Sequence, residues 1–282
     1  VGKVDNFYKV PLFREVERPK ERHSFTIMSY NLRGFYNDKG QRCVDDYARY
    51  FASHMPDVAC FQEFSRDAAD LSLIDSLFAD YHMYETIESG DVVLRTYSRF
   101  PIVRHDSISG RGRGTSQWID IVISESIKRR DTLRIFNNHL YTMNISADDS
   151  EDIARGKILQ DGDRMMSIID RIADNTSIRV AHVDTLRSVI DASPYAHIVC
   201  GDFNDTPMSY VYRTLSRDMN DAFVEYGRGY GYTFRPLRKI LRIDYILHSS
   251  GVIGYTYTTD REVELSDHLP ITMRAKLKIR NI

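Results

Sequence analysis

The chain has 282 residues, 42% of them hydrophobic and 28% charged, enough to bury a sizeable core as one domain. A mean hydropathy of -0.40, with nothing near the roughly 18 consecutive apolar residues of a spanning helix, argues against a membrane segment within it. A net charge of -2 and a pI of about 6.5 disfavour a protein that grips long stretches of nucleic acid, which carries a basic excess.

Residues 1–23 are polar and charged, with Pro11 and Pro19, and read as an extended lead-in to a single domain over residues 24–282. The chain opens on Val1-Gly2-Lys3 rather than on methionine, which leaves room for a membrane anchor upstream of residue 1. The chain itself is expected to be soluble and monomeric. From Phe25 onward, short apolar runs end abruptly in acids, amides or histidines. Phe25-Thr26-Ile27-Met28 ends in Ser29-Tyr30-Asn31, and a helix is predicted over 44–54. Val58-Ala59-Cys60-Phe61 runs into Gln62-Glu63, after which Leu71, Ile74, Leu77 and Phe78 mark one face of a helix over 68–78. Leu133-Arg134-Ile135-Phe136 ends in Asn137-Asn138-His139. Near-helical apolar spacing predicts two more helices, over 151–173 and 178–191, the second stopped by Ser193-Pro194. Ile198-Val199-Cys200 runs into Gly201-Asp202-Phe203-Asn204, Asp244 opens Tyr245-Ile246-Leu247, and Ser266-Asp267-His268 precedes Leu269-Pro270-Ile271. Such runs fit buried strands, and strands outnumber helices without alternating strictly with them. The reading is an α/β sandwich of two sheets with helices outside. Cys43, Cys60 and Cys200 are too few for a disulfide framework, and Cys60 and Cys200 read as core residues.

Strand ends hold polar groups at fixed positions facing a cleft. If these ends converge, they gather Glu63, Asp202, Asp244 and Asp267 with Asn31, Asn204, His139 and His268. Carboxylates so close repel one another unless a cation offsets them. Oxygen ligands suit a hard ion, Mg²⁺ or Mn²⁺, which polarises a phosphoryl oxygen and acidifies bound water. Amides and histidines then meet the negative charge of the transition state. This chemistry fits phosphate-ester hydrolysis.

Six segments carry a family resemblance: Ser29-Tyr30-Asn31-Leu32, Phe61-Gln62-Glu63, Asn138-His139-Leu140, Gly201-Asp202-Phe203-Asn204-Asp205, Ile243-Asp244-Tyr245 and Ser266-Asp267-His268. In this order they resemble the endonuclease/exonuclease/phosphatase (DNase I-like) superfamily, from about Phe25 to the C-terminus. The stretches 201–207 and 242–247 look most like a bacterial branch. The resemblance implies a four-layer α/β sandwich, two mostly antiparallel sheets packed face to face with helices on the outside. It also implies roles: Glu63 as principal metal ligand with Asn31 and Asp267 in support, and Asp202 orienting or deprotonating the attacking water beside Asn204. His268 would contact the scissile phosphate, with its ring fixed by Asp244, and His139 would be a second phosphate contact or assist the leaving group. Arg33 departs from the acid that abasic-site endonucleases tend to have there, which weakens a second metal site.

Blander readings stand beside these. Residues 201–205 alone could be a turn, Asp244 a structural acid against Arg242, and His139 a satisfied core histidine. Residues 110–114 read as a mobile basic loop, and the aromatic, glycine-rich stretch 226–234 as a loop at the rim of the site. The acidic run 148–152, if it borders the cleft, disfavours duplex DNA as substrate. The rival from another class is a catalytically silent binding module on the same fold.

Overall fold

In a computed structural model of the chain, residues 4–9, 24–37, 39–89, 92–109, 114–126, 129–142, 162–236 and 241–278 are described. Two six-stranded sheets dominate. One runs β10 (Asn220–Asp221), β12 (Asp244–His248), β9 (Ala196–Asp202), β8 (Arg129–His139), β7 (Thr115–Ser126), β6 (Ile102–Ser109). The other runs β13 (Val252–Thr259), β14 (Ile271–Leu277), β2 (Phe25–Asn31), β3 (Val58–Ser65), β5 (Val92–Ser98), β4 (His82–Ser89). Every pairing is antiparallel except the central one of each sheet, β2 with β3 and β8 with β9.

Alternation along the strands builds the layers, because successive side chains point to opposite faces. Phe25, Ile27, Val58 and Cys60 of one sheet meet Ile119, Ile135, Ile198 and Cys200 of the other in the inter-sheet core. Their neighbours Met28, Tyr30, Ala59 and Phe61 face outward onto α1 (Val44–Ser53) and α2 (Ala68–Leu77). Phe136 and Val199 likewise face Val183, Leu186 and Ile190 of α3 (Gly162–Asp191). The result is the four-layer sandwich expected.

The first two helices fall within a residue of their predicted spans. Asp67 caps α2 by accepting from the Ala69 and Asp70 amides, worth about 1 kcal/mol. The two later helices are corrected: 162–191 is one continuous helix, and 151–161 lies outside the described residues. The polar stretch 174–177 holds neither glycine nor proline, so nothing there stops propagation. The helix does end at Asp191, just before Ser193-Pro194.

The lead-in is described only over residues 4–9, where β1 (Tyr8–Lys9) pairs with β11 (Gly229–Tyr230) of the aromatic stretch. Most of the basic loop (110–113) and the whole acidic run 148–152 lie outside the described residues. Among the described residues no helix is long and apolar enough to cross a membrane.

Candidate active site

A parallel pair points two C-terminal strand ends at the same edge, and each sheet has one such pair at its centre. In one, Asn31 is in register with Gln62, just before Glu63; in the other, His139 is in register with Asp202. Antiparallel β12 begins opposite Asp202 with Asp244. The Asp267-His268 segment leads into β14 at the same end of β2, where Ile271 pairs with Ser29. Six strand termini therefore share one edge, with the sequence-expected residues on it.

The contacts are specific. The Asn31 side-chain amide donates to Glu63 Oε1 at 2.9 Å and to Asp202 Oδ2 at 3.1 Å, tying the two sheets together. Its orientation is fixed because Asn31 Oδ1 accepts the Arg33 backbone N–H at 3.0 Å. Asp202 Oδ1 accepts the Asn204 backbone N–H at 2.8 Å, and the Asn204 amide donates to Asp202 Oδ2 at 3.1 Å. His268 Nδ1 sits 3.0 Å from Asp244 Oδ2, with Nε2 3.6 Å from Asp202 Oδ2. Asp244 is thus the imidazole's partner. Arg242 pairs instead with Asp221 at 2.8 Å, so Asp244 is not held against Arg242. Asp267 stands apart from this inner cluster, 3.6 Å from Arg33 Nε and hydrogen-bonded by Ser266 Oγ.

A second imidazole–acid pair was not foreseen. His139 Nδ1 lies 3.1 Å from both oxygens of Glu88, whose side chain is only 3% exposed at the end of β4. His139 Nε2 faces Glu63 at 3.4 Å and Asp202 at 3.8 Å. Two histidines, each backed by a carboxylate, flank Asp202. Behind them runs a buried amide network between the sheets. Gln62 donates to Asn137 Oδ1 at 2.7 Å and to Ser29 Oγ at 3.2 Å, and the Asn137 amide reaches the Phe61 and Arg95 carbonyls and Thr96 Oγ1.

Electrostatics follow from this crowding. Burial, helped by Asp244, raises the Asp202 carboxyl to about 6, with His268 and His139 pulling the other way. Burial opposes charge on His139, yet Glu88, then Glu63 and Asp202, more than offset it and lift the ring to about 10. His268 is raised well above its ordinary range in the same way, by Asp244 first and Asp202 next. Glu63 and Asn204 sit at φ of 48° and 49°, a left-handed backbone that asparagine tolerates but that costs about 1–2 kcal/mol in a residue such as glutamate. The fold holds both there.

The donor set suits a hard cation. Glu63 is the most open of the acids, 34% exposed against 1% for Asp202 and 2% for Asp244. The ligand atoms of Asp202, Asp244 and His268 also lie within 4.8 Å of one another. That trio, however, is satisfied internally, because His268 already bridges the two acids. Glu63 is the better cation seat on exposure and on oxygen chemistry.

Phe234, from the aromatic stretch, packs on the His268 ring with centroids 5.0 Å apart. Thr233 Oγ1 accepts the Ile243 and Asp244 amides, so this stretch braces the site's rim.

Comparison with known proteins agrees with this architecture. The sequence model of the Endonuclease/Exonuclease/phosphatase family matches residues 28–268. The chain belongs to that family. No curated protein sequence matches it. Among solved structures, an endonuclease/exonuclease/phosphatase from Bacteroides vulgatus is similar at 15% identity and a TM-score of 0.62, over 90% of this chain and 99% of that one. The human Nocturnin catalytic domain, with a bound sulfate anion, is similar at 15% identity and a TM-score of 0.62, over 91% of this chain and 95% of that one. ANGEL2, a 2',3'-cyclic phosphatase in complex with adenosine-2',3'-vanadate, is similar at 15% identity and a TM-score of 0.61, over 91% and 96% of the two chains. At these identities the likeness is one of fold.

Proposed function

We propose that this chain is a divalent-cation-dependent phosphoesterase acting through the shared strand edge. The observation that carries the reading is Asp202, buried between two acid-backed histidines and hydrogen-bonded by Asn31 and Asn204. Asp202, with its carboxyl raised to about 6, is a base poised near neutral pH and takes the proton of the water that attacks phosphorus. Asn204 holds that water or a phosphate oxygen. His268 and His139 present charged N–H groups to the non-bridging oxygens, each ring held by its own carboxylate. Glu63, supported by Asn31 and Asp267, would hold Mg²⁺ or Mn²⁺. When bound, that ion polarises a phosphoryl oxygen and offsets the acids. The 2',3'-cyclic phosphatase activity of ANGEL2, a similar fold, supports a phosphate-ester substrate. The near-neutral net charge argues against a long nucleic acid, and the chain is expected to act as a monomer.

The test is a cation titration of hydrolysis on a panel of esters: a chromogenic monoester and diester, plasmid DNA, sphingomyelin and inositol phosphates. Turnover should require Mg²⁺ or Mn²⁺, and Glu63→Gln, Asp202→Asn and His268→Ala should each lower kcat by about 10³-fold or more while melting near the wild-type temperature. No turnover on any ester, together with a melting temperature indifferent to the cation, would sink the enzyme and leave the binding module.

A further inference from the structure

Arg33, Gly34 and Phe35 form a tight turn just past β2, with φ of 48°, 61° and 66°. Three successive left-handed residues are rare in L-amino-acid chains, since only glycine escapes the clash of Cβ with the carbonyl. Phe35 is compensated by packing, its ring fully buried against Tyr47 and Phe64. Arg33 has no such cover, with its side chain 38% exposed. The turn instead aims it. Its N–H is anchored on Asn31 Oδ1, and its guanidinium stands 3.6 Å from Asp267, the neighbour of His268. Backbone strain kept at a half-exposed charge beside a reactive edge points to function.

Charge balance points the same way. The edge gathers Glu63, Glu88, Asp202, Asp244 and Asp267, and its substrate is itself an anion. Among the described residues, two other arginines border it and both are engaged: Arg179 is buried, on Asp205 and the Tyr141 carbonyl, and Arg235 holds Glu264 and the Ser266 carbonyl. Arg33 is held by a long ion pair to Asp267, itself 21% exposed, and by a 3.4 Å bond to the Asn37 carbonyl. A phosphate oxygen can replace both.

We propose that Arg33 is a substrate-binding residue that takes a non-bridging oxygen of the ester phosphate, exchanging Asp267 for it. This rests on the phosphoesterase reading. A guanidinium presents parallel N–H donors that match a phosphate, where a lysine offers only a point charge.

The experiment is calorimetric titration of inorganic phosphate into the full chain in excess Mg²⁺, for wild type, Arg33→Asn and Arg33→Lys. Steady-state kinetics follow on an ester that the wild type hydrolyses. Asparagine tolerates left-handed backbone, so Arg33→Asn keeps the turn and removes the guanidinium. Phosphate affinity should fall about 10- to 100-fold in Arg33→Asn, KM should rise by a similar factor with kcat changing less, and Arg33→Lys should recover part of the loss. Wild-type affinity and KM in Arg33→Asn overturn the inference and leave the phosphoesterase reading standing. A wild type that neither binds phosphate nor turns over any ester overturns both. If Arg33→Asn melts early, Arg33→Lys decides: partial binding in a stable protein supports the contact, and early melting there too makes Arg33 structural and overturns it.

Discussion

Gly201, one residue before Asp202, has φ of 130°, and a Cβ there would be driven into the Asn138 carbonyl oxygen of β8. This close approach sets how near the Asp202 strand end comes to His139. Gly201→Ala should destabilise the protein by roughly 3 kcal/mol or more, read as a shift of the urea midpoint. A loss below about 1 kcal/mol would mean that the two strands part easily. Residues of this kind were legible because polar groups break off apolar runs abruptly, as Asp202 follows Val199-Cys200-Gly201. Glu88 was not. It follows Glu85-Thr86-Ile87 in an edge strand, where acids alternating with other residues look like any solvated face. Only the third dimension carries it to His139.

At the scale of elements, the strands that carry site residues and the first two helices could be read from the sequence, whereas β4 to β7 could not. β6 shows why: its residues are mostly exposed or half-buried, so no apolar run marks it. The long helix α3 carries a pH response. His182 is buried on its inner face, 3.1 Å from Ser116 Oγ, and burial lowers its ring to about 4. The folded chain therefore keeps it neutral where the unfolded chain, near 6.5, binds a proton. Its contribution is fully present above about pH 6.5 and is lost as pH falls towards 4. A His182→Gln variant, which cannot charge, should lose less stability between pH 7 and 4.5, by about 2–3 kcal/mol, in paired urea titrations. Parallel losses in the two proteins would show that His182 is protonated without cost.

For the whole molecule, the two sheets meet through an apolar core that thins into amides near the reactive edge. Asn137 lies at that transition, and Asn137→Leu would take one buried hydrogen bond each from Gln62, Thr96 and the Phe61 and Arg95 carbonyls. A cost of about 2–4 kcal/mol is expected in chemical denaturation. Unchanged stability would mean that the network serves geometry alone. Gln62 and Asn137 stand beside Glu63 and His139 along the chain; that they face each other depends on sheet packing, which no linear pattern encodes.

The strand order has a consequence for how the molecule comes into being. β14 lies beside β2, and His268 sits in the segment leading into it. A chain emerging from the ribosome makes Asn31 and Glu63 before β14, and one flank of β2 stays unpaired until β14, the last strand of its sheet in chain order, has been synthesised. Until then that open flank is a template on which a second nascent chain can pair, and it is the stage at which a chaperone has most to protect. The same late arrival withholds the second imidazole. A half-made chain is sticky and lacks the full proposed active site, and closing this gap also completes it.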